Sequence, residues 1–325
     1  LARVAAEAAV SLSTVSKVLN GRDGIAAETR SRVEQLLRDH GYARRDVDRS
    51  SSMLEVVFNE LDAWTMKLIR GVEAVTRENG LAAMLTESGD RYTAGSDWVD
   101  RSFARRPVGV IFVFAGPSAT DKRALTSEGI PFVVLDPLGN PEPDVPSVGA
   151  ANWYGGVLAT QHLISLGHTK IATITGPADM MSSRARLSGY RSALEEAGVT
   201  PQAKYIAAGT YYKPESVVLG RQLLTLKDPP TAIFAGNDVQ ALGIYEAAAE
   251  LGLRIPEDVS VVGFDDLDVA EWAGPPLTTV RQPLVEMGAE AARLVLALRS
   301  SPREHTLRMD LATSLVVRDS TRRIN

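Results

Sequence analysis

Three carboxyl or amide side chains stand directly after apolar runs: Asp136 after FVVL, Asn237 close behind IFA, and Asp265 after VVGF. Ligands of parallel α/β layers are met just beyond the carboxyl ends of strands, so these positions are suited to touch a bound molecule. Carboxylates and amides accept from and donate to neighbouring hydroxyls, and Arg186 adds a planar fork of donors. Tyr211, Trp64 and Trp272 offer flat faces for the C–H surface of a sugar ring. Each also has a plainer reading. Asn237 and Asp265-Asp266 are placed to cap the helices that follow them. Arg186 would ordinarily be solvated, Trp64 would serve equally in a core or on a dimer surface, and Trp272 lies in a loop before Pro275-Pro276.

A second group occupies the amino end, LARVAAEAAVSLSTVSKVLN. Val4, Ala5 and Ala8 fall on one helical stripe and Val15, Val18 and Leu19 on another, which predicts two short helices crossing through a three-residue turn. Ser11 is placed to cap the second helix. Ser13 and Lys17, four apart, lie opposite the Val stripe, with Thr14 near the same end. Short donors on the first turn and a cation one turn later suit the reading of base edges in a major groove. A helical hairpin with a solvated outer face fits the same pattern.

The elements that must hold the first group follow from alternation. Apolar runs at 54–58, 81–85, 108–114, 131–135, 170–175, 205–208, 231–235 and 259–264 alternate with helical stretches at 66–79, 153–166, 183–197, 216–226 and 239–251. Unbroken apolar strands separated by helices predict parallel sheets covered on both faces. So many units exceed one comfortable sheet, and two α/β lobes with a ligand cleft between them are expected.

Composition narrows the class. With 325 residues the chain can hold two or three domains, each with its own core. It has no Cys and four scattered His, so disulfides, thiolate sites and a metal cluster are not expected, and no cofactor is called for. Without an apolar run of about 18 residues or a visible signal peptide, a cytoplasmic protein is expected. Residues 1–49 carry nine Lys/Arg against seven acids, a balance of +2, while the whole chain stands at −5 and the remainder at −7. A slightly basic head on an acidic body fits a module that meets phosphates while the body stays away from them.

The wording Val10-Ser11-x-x-Thr14-Val15-Ser16-x-Val18-x-Asn20 resembles the headpiece of the lactose-repressor (LacI/GalR) family, and Glu28-Thr29-Arg30-x-Arg32-Val33 with Leu37-x-x-x-Gly41-Tyr42 resembles its third helix. The resemblance continues through His162-Leu163-x-x-Leu166-Gly167-His168, Ile174-x-Gly176-Pro177, Arg184-x-Arg186-x-x-Gly189-Tyr190, Gly236-Asn237-Asp238, Val262-Gly263-Phe264-Asp265-Asp266 and Pro276-Leu277-Thr278-Thr279-Val280-x-Gln282. It implies an all-α helix-turn-helix headpiece at 1–45, a linker at 46–53 and a two-lobed, periplasmic-binding-protein-like effector domain at 54–325. The family's crossovers would assign 54–148 and 283–311 to the first lobe and 149–282 and 312–325 to the second. By the same resemblance Leu12, Ser13 and Lys17 would meet base edges, and Ser11, Ser16, Asn20 and Thr29 phosphates. Asp136, Arg186, Asn237 and Asp265 would meet the effector, with Tyr211 at a position often aromatic.

Departures from the family carry expectations of their own. The chain lacks the usual short leader, so it is expected to be clipped at its front. Ala9 stands at a turn position where Gly or Asn is common, costing roughly 1–2 kcal/mol if its backbone is left-handed, and Ala26 replaces a Ser cap, costing about 1 kcal/mol. The linker is short and carries Asp46 and Asp48; Arg49 and Ser50 match neighbours of the DNA-wedging position, which here is Ser51. The implied function is a repressor, dimeric for want of a coiled-coil extension after Val317, binding pseudo-palindromic operator DNA under control of a mono- or oligosaccharide. The polar and aromatic set favours a sugar over a nucleobase, although relatives on this scaffold also take purines or nucleosides; a solute-binding protein without DNA function is the alternative. An enzyme is not expected: adjacent Asp265 and Asp266 are poorly placed to flank a glycosidic bond.

Overall fold

The computed structural model describes residues 2–19, 25–39, 52–89, 102, 104–301 and 307–324. At the amino end, α1 (Ala2–Glu7), α2 (Leu12–Leu19) and α3 (Ala27–Asp39) close around Val4, Ala5, Ala8, Val15, Val18, Val33 and Leu37. Those residues recur at helical spacing, and burying them is what holds three short helices together. Ala9 takes φ 53°, the left-handed backbone a tight turn requires, at a cost of roughly 1–2 kcal/mol.

The next strands build a parallel sheet. β1 (Met53–Phe58), β2 (Ala82–Glu87), β3 (Gly109–Val113), β4 (Phe132–Leu135) and β5 (Ser147–Ala150) are joined by β11 (Arg308–Leu311) in the order β11-β5-β4-β3-β1-β2. Alternation along β3 sends Val110 and Phe112 to the face covered by Leu125 of α5 (Ala119–Ser127). Ile111 and Val113 go to the opposite face, under α4 (Ala63–Glu78) and α11 (Leu284–Ser300). Both faces are dry, which is why the run has no polar position.

The second sheet repeats the plan. β6 (Ile171–Thr175), β7 (Ile206–Ala208), β8 (Ala232–Ala235), β9 (Ser260–Asp265), β10 (Thr278–Arg281) and β12 (Ser314–Val316) run β12-β10-β9-β8-β6-β7, all parallel except the β10–β12 pair. α6 (Asn152–Ser165) and α7 (Met181–Glu196) cover one face; α8 (Lys213–Leu224) and α9 (Asp238–Glu250) cover the other, with the short α10 (Asp268–Trp272) at its rim. Three strands of the chain run between the lobes: from β5 to α6, from β10 to α11, and from β11 to β12.

β5, β10, β11 and β12 have no counterpart among the apolar runs, and neither do α5, α10 and α11 among the helical stretches. Their sequences, SVGA, TTVR, RMDL and SLV, are short and mixed, because these strands lie at or near sheet edges or in crossovers. Among the described residues, no helix is long and apolar enough to cross a membrane.

Candidate functional site

The two lobes face each other across a cavity of about 220 Å³. Asn59, Glu60, Asp62, Trp64, Phe114 and Asp136 line it from the first lobe. Met180, Ser182, Arg186, Tyr211, Tyr212, Asn237, Val239, Asp265 and Leu267 line it from the second. Six of the seven residues singled out from sequence as ligand contacts therefore meet in one place. Trp272 does not: it ends α10, is 75% exposed and forms no part of the cavity wall. Expected in a loop, Trp272 instead ends this short helix, with its ring in solvent.

Arg186 is the best-anchored polar group in the cleft. Its Nε donates to Asn152 Oδ1 at 2.8 Å and one Nη to the Gly236 carbonyl at 2.5 Å, while Asp265 Oδ1 lies 3.7 Å away. The guanidinium plane rests 3.7 Å from the centre of the Phe264 ring and 5.7 Å from that of Tyr211. It is 5% exposed, so its charge must be matched by neighbours rather than by bulk water. Helix packing sets its position. A Cβ at Gly156 would sit 2.3 Å from the Arg186 carbonyl oxygen, and one at Gly189 would sit 2.1 Å from that of Trp153. Only glycine at both sites lets α6 and α7 approach closely enough.

The carboxylates share this confinement. Burial pushes Asp136 up to about 6, against an opposing pull from the Arg186 charge. Burial likewise raises Asp265, again opposed by Arg186 and by the hydrogen bond from Gln282 Nε2 at 2.6 Å. Asn237 does two jobs, accepting from Gln240 N at 2.8 Å as the cap of α9 and donating to the Tyr211 carbonyl at 3.3 Å. Asp62 caps α4 through Thr65 N at 2.7 Å. Arg186 is the one cation among the described residues lining the cleft, against Glu60, Asp62, Asp136 and Asp265.

Backbone strain gathers here too. Phe114 (φ 68°), Asp136 (48°), Tyr211 (73°) and Asp265 (112°) all hold left-handed backbone without being glycine, each costing on the order of 1–3 kcal/mol. Such strain persists where the surrounding fold fixes a side chain into a site.

Sequence reasoning missed several participants. Phe114 stacks on Trp64 with ring centres 5.0 Å apart and planes 13° apart; it closes an apolar run, and the strand-end rule that found Asp136 also applied to it. Asn152, Phe264 and Gln282 hold Arg186 and Asp265, but stand at positions no ligand rule flags by itself. Glu60 accepts from Tyr212 Oη at 3.3 Å across the cleft, a pairing no spacing announces.

In the head, Ser11 Oγ accepts from Thr14 N at 3.1 Å and lies 2.7 Å from Ser13 Oγ and 2.9 Å from Thr14 Oγ1. Leu12, Ser13 and Lys17 are exposed, and Thr14, Ser16 and Thr29 are half-buried. Asn20 and Arg49, and the linker up to Ser51, lie outside the described residues.

Comparison with known proteins matches two segments of the chain. Residues 1–45 match the model for bacterial regulatory proteins of the lacI family, and residues 160–321 match a periplasmic binding protein-like domain. The HTH-type transcriptional repressor PurR of Vibrio vulnificus is 32% identical over 99% of this chain and 98% of its own length. A solved complex of the transcriptional regulator CelR with cellobiose is 34% identical, covers 98% of each chain and superposes with a TM-score of 0.74. The lac repressor dimer bound to operator and the anti-inducer ONPF is 28% identical, again over 98% of each chain, with a TM-score of 0.73. A DNA-binding head matched in front of a cleft-bearing body, at this identity over nearly the whole length, means that the chain belongs to the LacI family of bacterial regulatory proteins.

Proposed function

We propose that this regulator represses carbohydrate-utilisation genes, and that a neutral mono- or oligosaccharide held between the lobes sets its affinity for operator DNA. The observation that carries the effector class is the lining of the cleft. Four acids and a single, already matched Arg186 disfavour phosphorylated sugars and nucleotides, whereas buried carboxylates beside the Trp64–Phe114 stack suit hydroxyls above an apolar ring face. The similar CelR chain, solved with cellobiose, agrees with this chemistry.

Ser11, Leu12, Ser13, Thr14, Ser16, Lys17 and Thr29 are the residues we assign to DNA, with Asn20 and Arg49 completing the set by resemblance. Trp64, Asp136, Arg186, Tyr211, Asn237 and Asp265 are assigned to the effector. The working unit is a homodimer, for which Met66 on α4, Leu85 on β2 and Val285 on α11, each about two-fifths exposed, supply apolar surface on the first lobe. Among the described residues, β2 is the outer strand of that lobe's sheet.

A thermal-shift panel of neutral sugars, sugar phosphates and nucleosides tests the reading, since a ligand of the folded form raises Tm. A neutral sugar is expected to raise it, and Arg186→Met is expected to abolish that rise while operator binding in an electrophoretic shift persists. A panel in which only nucleosides or phosphorylated sugars raise Tm would overturn the sugar assignment.

A further inference from the structure

Beyond the ligand contacts, Lys67 reaches from α4 of the first lobe into the second. Its Nζ donates to the Asp266 carbonyl at 2.8 Å and pairs with Asp268 Oδ1 at 3.0 Å. The Lys67 side chain is about one-quarter exposed and that of Asp268 more than half, so the lysine end of the bridge is the part shielded from water and salt. From these contacts we propose that Lys67 is the positioning residue that holds the two lobes closed, and that the Asp265–Asp266 peptide couples the latch to the occupant of the cleft.

The geometry of the acid pair supports the coupling. Asp265 and Asp266 are consecutive non-glycine residues with positive φ, 112° and 55°, which turns their side chains to different tasks. Asp265 faces the cleft. Asp266 is held by Arg281 Nε at 2.6 Å and by Arg318 at 2.7 Å, so both of its carboxylate oxygens are engaged and its carbonyl is left for Lys67. Gln282, which binds Asp265, is the next residue after Arg281, which binds Asp266. The two acids thus grip the last residue of β10 and the first of the crossover to α11, and Arg318 lies just past β12, which follows the crossover from β11. A ligand that draws Asp265 away from Gln282 turns the peptide whose next carbonyl is the acceptor for Lys67. Lys67 itself lies one helical turn beyond Trp64, so both ends of the latch are attached to the cleft wall.

The link to an effector rests on the proposed function; the latch does not, and its test needs no ligand. The chain has no cysteine, so a nitroxide pair at Glu128→Cys on the first lobe and Gln202→Cys on the second, in labelled chain diluted with unlabelled chain to suppress pairs between subunits, reports lobe separation. In double electron–electron resonance on the full-length protein, Lys67→Met is expected to shift and broaden the interlobe distance distribution, and Lys67→Arg, which keeps the charge and donors, to restore it. An unchanged distribution in Lys67→Met, or an Arg variant displaced as far as the Met variant, overturns the latch. A cleft that binds no sugar while Lys67→Met still opens it would refute the effector reading alone.

Discussion

Within the cleft the decisive quantity is the cost of keeping charge away from water. Asp136 and Asp265 are each 5% exposed, and burial raises both carboxyl groups despite the nearby Arg186. The folded chain therefore holds the Asp136 proton more tightly than the unfolded chain does. Folding is favoured below the ordinary value of 3.8, and stability is lost as pH rises towards and through about 6. Over that window the loss amounts to about 3 kcal/mol. Asp136→Asn removes the ionisation, and is expected to raise ligand-free stability at pH 7.5 and to flatten its dependence between pH 4 and 6.5, while weakening sugar binding. Chemical denaturation at several pH values reads this directly; a variant less stable than wild type at pH 7.5 would mean that Arg186 gains more from the Asp136 charge than its burial costs.

Among elements, the α6–α7 crossing matters most for function, because it delivers Arg186. Glycines at 156 and 189 bring each helix within contact of the other's backbone carbonyls, and the same device at Gly71 and Gly288 joins α4 to α11, where added Cβ atoms would sit 1.8 and 2.0 Å from carbonyl oxygens. Gly156→Ala is expected to cost about 1–3 kcal/mol by overpacking and to displace Arg186 from Gly236 and Asn152, so that ligand affinity falls together with stability. Calorimetric titration beside a denaturant midpoint separates the two losses. An alanine variant with wild-type affinity would show that the guanidinium is placed by its hydrogen bonds alone.

At the scale of the whole molecule, the head and the lobes have separate buried cores among the described residues. The buried set of α1–α3 shares no residue with the buried sets of the two lobes. Lys17, exposed on α2, is accordingly expected to affect DNA and nothing else. Lys17→Ala is expected to weaken operator binding by about 1–3 kcal/mol and to relax base preference, with sugar affinity measured off DNA unchanged. Equal loss on operator and random DNA would reassign Lys17 from a base edge to a phosphate. Between the sites, effector and operator are coupled reciprocally, typically by about 1–3 kcal/mol, and lobe closure through Lys67 is the step that would carry this coupling.

How much of this was legible in the sequence depended on whether a residue's neighbours were its neighbours in the chain. The apolar runs that became β1, β3, β8 and β9 are buried on both faces, so burial alone wrote them into the composition. The helical head followed from spacing, and Asp136, Asn237 and Asp265 from their place at strand ends. Trp272 had no such constraint, and its ring stands in solvent away from the cavity wall. The Phe264 face beneath Arg186, the Gln282 grip on Asp265, the Tyr212–Glu60 pairing and the Lys67 bridge to Asp266 join residues up to about two hundred positions apart. Local propensity carries no record of such pairs; they exist only once two sheets have formed and three crossovers have brought their carboxyl ends face to face.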